Sequence, residues 1–90
     1  SFKIPVKLSE IFDTGAQDVI IVQGAIDLFF EESDGSVVLI DYKTDRVKNA
    51  EKIREKYEIQ LKFYKTALEK ILKKRVSKTM IYLFDTGEFI

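Results

Sequence analysis

Two apolar runs rich in Val, Ile and Phe, Asp18 to Glu32 and Val37 to Lys43, flank Ser33-Asp34-Gly35, and nothing else in the chain restricts its fold as tightly. β-Branched and aromatic residues at that density suit a pleated, packed surface, and Asp-Gly within a polar triplet is a hairpin signal. Each run carries an aspartate, Asp27 in Gln23-Gly24-Ala25-Ile26-Asp27 and Asp41 in Asp41-Tyr42-Lys43. Loop length decides whether the two acids meet. A two-residue Asp34-Gly35 turn pairs Ser33 with Ser36 and Asp27 with Tyr42, which sends the carboxylates to opposite faces. A three-residue loop with Gly35 in the left-handed conformation pairs Glu32 with Ser36 and sets Asp27 directly across from Asp41. We expect that second register, or a bulge with the same effect. One face then carries Ala25, Asp27, Phe29, Val37, Leu39, Asp41 and Lys43, and the other Ile26, Leu28, Phe30, Val38, Ile40 and Tyr42. Both are largely apolar, so the sheet calls for cover on both sides.

The remaining elements follow from pattern. Phe2 to Leu8 alternates weakly and reads as an edge strand that tolerates Pro5, followed by a polar turn at Asp13-Thr14-Gly15. Thr44 and Asp45 shape the strand exit or cap the following turn, and Gly24 permits a bend or a close backbone approach. A long helix is expected from about Asn49, a candidate N-cap, to about Lys74, either continuous or broken near Tyr57. Its apolar stripe is Ile53, Tyr57, Leu61, Tyr64, Leu68, Ile71 and Leu72. Val76 to Phe84 reads as a last strand, ended by Asp85-Thr86-Gly87. The expected order is strand, strand, strand, helix, strand, with the hairpin at the centre of a mixed sheet in an α/β fold. One helix cannot cover two apolar faces, which implies an N-terminal helix lying outside this chain, or a partner surface such as a second copy of it.

Composition narrows the chemistry. Ninety residues allow one small domain that buries roughly 60 to 65% of its unfolded surface. With 46% apolar residues, 33% charged residues and one proline, the chain is globular rather than disordered. Cysteine is absent, which excludes disulfides, thiolate zinc, iron–sulfur clusters and cysteine nucleophiles and is compatible with a reducing cytoplasm. Histidine is absent as well. No apolar run reaches the roughly 18 residues of a membrane span, and Ser1-Phe2-Lys3-Ile4-Pro5 lacks a signal-peptide core, so a soluble cytoplasmic protein is expected. The net charge of zero conceals a polarity: Ser1 to Asp45 holds three lysines against nine acids, and Arg46 to Lys78 holds twelve bases against four acids. The basic stretch is either a solvated helix face or a phosphate-facing surface beside an acidic site.

Residues i and i+2 of a strand share a face, so Asp41 and Lys43 stand side by side while Tyr42 offers its backbone carbonyl between them. Two carboxylates and one ammonium in this arrangement suit metal-assisted phosphodiester cleavage. An aspartate within so apolar a strand is costly without a partner, and a hard divalent cation is such a partner.

Three blocks, Gln23-Gly24-Ala25-Ile26-Asp27, Asp41-Tyr42-Lys43-Thr44-Asp45 and Tyr57-Glu58-Ile59-Gln60-Leu61-Lys62-Phe63-Tyr64-Lys65-Thr66-Ala67-Leu68, resemble the C-terminal nuclease domain of bacterial RecB/AddA-type helicase–nucleases. That domain belongs to the PD-(D/E)XK superfamily, with a restriction-endonuclease-like core. The resemblance implies that Asp27, Asp41 and the Tyr42 carbonyl bind Mg²⁺ or Mn²⁺ and that Lys43 orients and polarises the attacking water. Gln60 and Tyr64 match the family's Gln-x-x-x-Tyr element and are implied members of the catalytic site. Ile26 stands where the superfamily often has proline. An upstream helix of the family supplies a further metal ligand; with no histidine here, Glu10 is the one nearby acid able to take that place. The resemblance further implies DNA as substrate, single strands delivered by a helicase, a second subunit, and a role in double-strand break repair and recombination. ATP binding would belong to the motor of the parent protein. The competing reading is a non-catalytic nucleic-acid or protein-interaction module that keeps the fold.

Overall fold

The computed structural model of the chain describes residues 1–46 and 48–90. In chain order it contains β1 (Phe2–Lys7), a 3-10 turn (Leu8–Glu10), β2 (Val19–Gly24), β3 (Leu28–Glu31), β4 (Val37–Lys43), α1 (Ala50–Leu72), β5 (Val76–Leu83) and β6 (Glu88–Phe89). The long apolar run expected as one strand is thus two, β2 and β3. Residues 25–27 leave the ladder between them, and β2 pairs antiparallel with β1, Pro5 opposite Ile21. The strands form a two-stranded β1-β2 ribbon and a four-stranded sheet ordered β3-β4-β5-β6. Within that sheet β3-β4 and β5-β6 are antiparallel and β4-β5 parallel, a mixed sheet with one long helix as expected. β4 and β5 are internal, whereas β3 lies at the edge rather than at the centre. The tail contributes β6, a short hairpin partner after the turn at Asp85-Thr86-Gly87 that was expected only as an end.

The hairpin register is the one that aligns the acids. The Glu32 N–H donates to the Ser36 carbonyl at 2.7 Å and the Gly35 N–H to the Glu32 carbonyl at 3.0 Å, which closes a three-residue loop. Gly35 sits at φ +86°, where a Cβ is strained, and Leu28 pairs with Ile40 further along the ladder. Asp34 Oδ1 accepts from the Ser36 N–H at 2.9 Å and from its hydroxyl at 2.6 Å, and the Ser36 hydroxyl also contacts Ser77 Oγ at 3.1 Å. The turn is therefore tied to β5 as well as to itself.

α1 begins where Asn49 caps it, its side chain accepting from the Glu51 and Lys52 N–H groups, and it ends at Lys73 in the left-handed conformation, φ 55°. It runs through Tyr57 without a break. The packing of this single helix organises the molecule. Ile53 and Leu61 meet Ile81 and Leu83 at one end of the sheet, Leu68 meets Val37, Leu39 and Val76 at the other, and Ala67 meets Val6 and Val22 of the ribbon. Of the expected stripe, Ile71 alone is left exposed. On the sheet face away from α1, Val38 and Ile40 are buried, but Leu28, Phe30, Tyr42, Phe84 and Phe89 are exposed. Among the described residues no helix covers that face, so the cover expected on both sides is present on one.

Because Gly35 alone relieves the left-handed turn, Gly35→Ala is expected to cost about 1–2 kcal/mol. For a domain of this size each kcal/mol lowers Tm by about 4–8 °C. Unchanged thermal unfolding by circular dichroism would mean that the loop holds its register without this conformation.

Candidate metal and phosphodiester site

The site is built where the β3-β4 ladder ends. The pairing of Leu28 with Ile40 carries Asp27, one residue before β3, to the position opposite Asp41 of β4. Had β3 continued, the Tyr42 N–H would have bonded to the Ile26 backbone, since alternate pairs of an antiparallel ladder exchange both bonds. The chain instead leaves the ladder, Ile26 packs against the cluster of Val37, Leu39, Leu68 and Val76 on the helix side, and Asp27 Oδ2 accepts from the Tyr42 N–H at 2.9 Å. Simple alternation, which placed Ile26 on the face with Leu28, fails there because strand geometry has ended. Extended residues send N–H and C=O to the same strand edge, so the Tyr42 carbonyl leaves β4 on the side where Asp27 sits.

Asp41 is 5% exposed. Lys43 Nζ lies 3.0 Å from its Oδ2, as an ion pair rather than an aligned hydrogen bond. Burial raises the Asp41 pKa above the ordinary carboxyl value, hydrogen bonding with Asp27 raises it further, and Lys43 lowers it without cancelling the two. Two adjoining carboxylates, one of them desolvated, cannot both ionise cheaply unless positive charge is added between them. The Lys43 ammonium stands 4.2 Å from the centroid of the Tyr57 ring, on α1.

Gln60 and Tyr64 lie one turn apart on the same helix, and Gln60 Nε2 donates to the Tyr64 hydroxyl at 3.4 Å. Gln60 Oε1 is buried with no hydrogen-bond partner. Tyr64 packs on the Val37–Leu39–Leu68 cluster and makes an edge-on contact with Phe2, ring centroids 5.3 Å apart, so its ring is a core residue whatever else its hydroxyl does. Gly24 is the complement of that hydroxyl: a Cβ there would collide with Tyr64 Oη. Of the expected site residues, the fold brings Asp27, Asp41 and Lys43 directly together and sets Gln60 and Tyr64 on the helix that covers their sheet. It spends Glu10 elsewhere, on an ion pair with Lys70 at 3.1 Å and on the Lys7 N–H, where the Lys70 contact holds its carboxyl below the usual range. Among the described residues, no cluster of three or more acids or histidines forms a candidate metal cage.

Asp45, assigned from sequence only to shaping the strand exit, accepts from the Tyr57 hydroxyl at 2.9 Å and from Lys56 Nζ at 3.0 Å. Contacts with Lys56 first, then Tyr57, hold its carboxyl below the ordinary value. Spacing along the chain gives no hint of a strand-to-helix bridge of this kind; only the packing of α1 against β4 creates it.

Residues 2–88 match the model of the PD-(D/E)XK nuclease superfamily, and the chain belongs to that superfamily. It is 42% identical over 94 residues to an ATP-dependent helicase/nuclease subunit of Clostridium botulinum (strain Hall), a match covering 99% of this chain and 7% of that protein. It is 47% identical over 76 residues to the helicase/nuclease subunit of the same name in Ruminiclostridium cellulolyticum, covering 82% of this chain and 6% of that protein. The chain therefore spans less than a tenth of the length of these curated relatives.

Two outcomes follow. A carboxyl whose folded pKa is raised is penalised when charged, so Asp41 subtracts stability as pH climbs above its ordinary 3.8 and subtracts it fully above the raised value. In chelator, Asp41→Asn should unfold at a higher temperature than the parent at neutral pH, and the gap should close below pH 3.8; a lower Tm at neutral pH would contradict the burial penalty. Gly24→Ala should displace Tyr64 at a cost of about 1–3 kcal/mol, read by chemical denaturation, and Gly24→Ala with Tyr64→Leu should recover part of it.

Proposed function

We propose that this chain is the metal-binding and catalytic core of a DNA nuclease that hydrolyses phosphodiester bonds. The observation that carries the proposal is the placement of Asp27 and Asp41 side by side with the Lys43 ammonium 3.0 Å from the more buried acid. The donor set fits a hard divalent ion: two carboxylates whose mutual repulsion a cation relieves, and a backbone carbonyl on the same edge. Mg²⁺ is commonly held by one or two carboxylates, its other positions being taken by water and substrate phosphate, so a set this small is sufficient for it or for Mn²⁺. Asp27, Asp41 and the Tyr42 carbonyl would hold the ion, which when bound supplies Lewis acidity and a water of lowered pKa. Lys43 donates hydrogen bonds to that water or to the non-bridging phosphate oxygens, offsetting the charge that grows on them. Gln60 Oε1, a buried acceptor in want of a donor, is suited to orienting the water or the Lys43 ammonium.

The relatives' names join helicase and nuclease in one polypeptide. We accordingly place the activity in a larger helicase–nuclease, acting as an exonuclease on single strands that an ATP-driven motor delivers, with a second subunit, in cytoplasmic double-strand break repair and recombination. No helix among the described residues is long and apolar enough to cross a membrane. The second reading is a module that retains the fold and binds nucleic acid or protein without cleaving.

A calorimetric Mn²⁺ titration of the parent and of Asp27→Asn, with single-stranded DNA cleavage assayed in the same samples, separates the two. The asparagine keeps an acceptor for the Tyr42 N–H while removing the charge. Loss of binding in the variant together with cleavage by the parent is the expected result; binding without cleavage supports the second reading, and absence of binding by the parent would overturn the metal site. Lys43→Ala should retain Mn²⁺ binding and slow cleavage about 100-fold or more.

A further inference from the structure

We propose that Tyr57, held by Asp45, is a positioning residue for the Lys43 ammonium; the proposal rests on the nuclease reading for its consequence and on contacts within the chain for its geometry. A lysine is a compact point charge on a flexible four-carbon stem, and a single charge pair does not define where it sits. Lys43 has two contacts of different kinds, Asp41 Oδ2 at 3.0 Å and the face of the Tyr57 ring, 4.2 Å from Nζ to the centroid. These respond differently to a bound cation. Asp41 is one of the proposed metal ligands, and a divalent ion on its carboxylate cancels the charge that attracts the ammonium. The ring carries no net charge to be cancelled, so the cation–π contact persists when the site is loaded.

The ring is itself fixed. Its hydroxyl donates to Asp45, lying 2.9 Å from Oδ1 and 3.2 Å from Oδ2, and Lys56 Nζ braces the same carboxylate at 3.0 Å. The body of the ring packs against the cluster of Ile53, Leu61, Ile81 and Leu83. Asp45 follows Lys43 by two residues, so the end of β4 reaches across to α1 and pins the aromatic platform beneath the lysine that β4 presents. The residues that present the ammonium and those that seat it are thus one short segment, Lys43 to Asp45, and one helical residue.

The test uses the 90-residue chain and the variants Tyr57→Phe, Tyr57→Leu and Asp45→Asn, each checked for cooperative unfolding. A proton over a ring face is shifted upfield, so the Lys43 ε-methylene resonance, assigned with Lys43→Arg, reports the contact without any need for activity. We expect an upfield resonance in the parent, unchanged by saturating Mg²⁺, reduced but present in Tyr57→Phe and Asp45→Asn, which remove or weaken the bond that holds the ring, and abolished in Tyr57→Leu. Mn²⁺ affinity should be equal in all four. Single-strand cleavage by Tyr57→Leu should fall about 10-fold or more in kcat with KM unchanged, and Tyr57→Phe should restore most of it. A parent resonance at the position of a free lysine, or one unmoved in Tyr57→Leu, overturns the contact. An intact contact with Tyr57→Phe as slow as Tyr57→Leu overturns the positioning role. A parent that neither binds Mn²⁺ nor cleaves removes the nuclease reading while leaving the resonance to decide the contact.

Discussion

The closure of the Ser33-Asp34-Gly35 loop governs everything downstream in this structure. Side chains alternate with a period of two along a strand, so a loop shorter by one residue would send Asp27 and Asp41 to opposite faces of the sheet. The bond from the Glu32 N–H to the Ser36 carbonyl, the left-handed Gly35 and the Asp34–Ser36–Ser77 hydroxyl chain together exclude that alternative. A register set at the far end of the hairpin decides whether the two acids meet at all. The ladder then stops at Leu28, and the interruption is as consequential as the pairing, because it turns the Asp27 side chain into the partner of a backbone N–H that the strand has abandoned.

The second organising element is α1, which serves two sheets at once. Ala67 is small enough to admit Val6 and Val22 of the ribbon, while Leu61 and Leu68 fill against the main sheet. With a core this thin each of these contacts is a sizeable share of the net stability, which for a domain is only about 5–15 kcal/mol. The same helix carries Tyr57, Gln60 and Tyr64 toward the strands. Tyr64 shows how closely structure and site are joined: its ring is core and its hydroxyl touches Gln60, while Gly24 is bare so that the hydroxyl fits.

The site is maintained against its own folding energetics. Asp41 is buried beside another acid, and one ammonium does not bring its pKa back to the ordinary value. A hydrophobic residue would pack there without that penalty, and carboxyls perturbed by burial and a charged neighbour are concentrated at functional sites. The exposed Leu28, Phe30, Tyr42, Phe84 and Phe89 on the far face are a different departure from a closed fold. That face shares β4 with the site, so the strand that presents Asp41 and Lys43 toward the helix presents Tyr42 away from it.

Much of this was legible from the residues alone: the hairpin and its register, the Asn49 cap, the helical stripe, the α/β class, and the candidacy of Asp27, Asp41 and Lys43. These are local or periodic properties, and a turn residue or a period of about 2 or 3.6 is written in neighbouring positions. Non-local pairing was not legible. The break between β2 and β3, the ribbon with β1, the edge position of β3 and the added β6 depend on which segments meet. Alternation could not place Ile26 once the ladder had ended, and Glu10, credible as a ligand by charge, was drawn to Lys70 by proximity. The sequence by itself determined which chemical groups stand on one face of one strand, because strand geometry requires it. Only the tertiary structure decided how deeply Asp41 is buried and what seats Lys43, because burial and the Asp45–Tyr57 bridge arise where α1 lies down on β4.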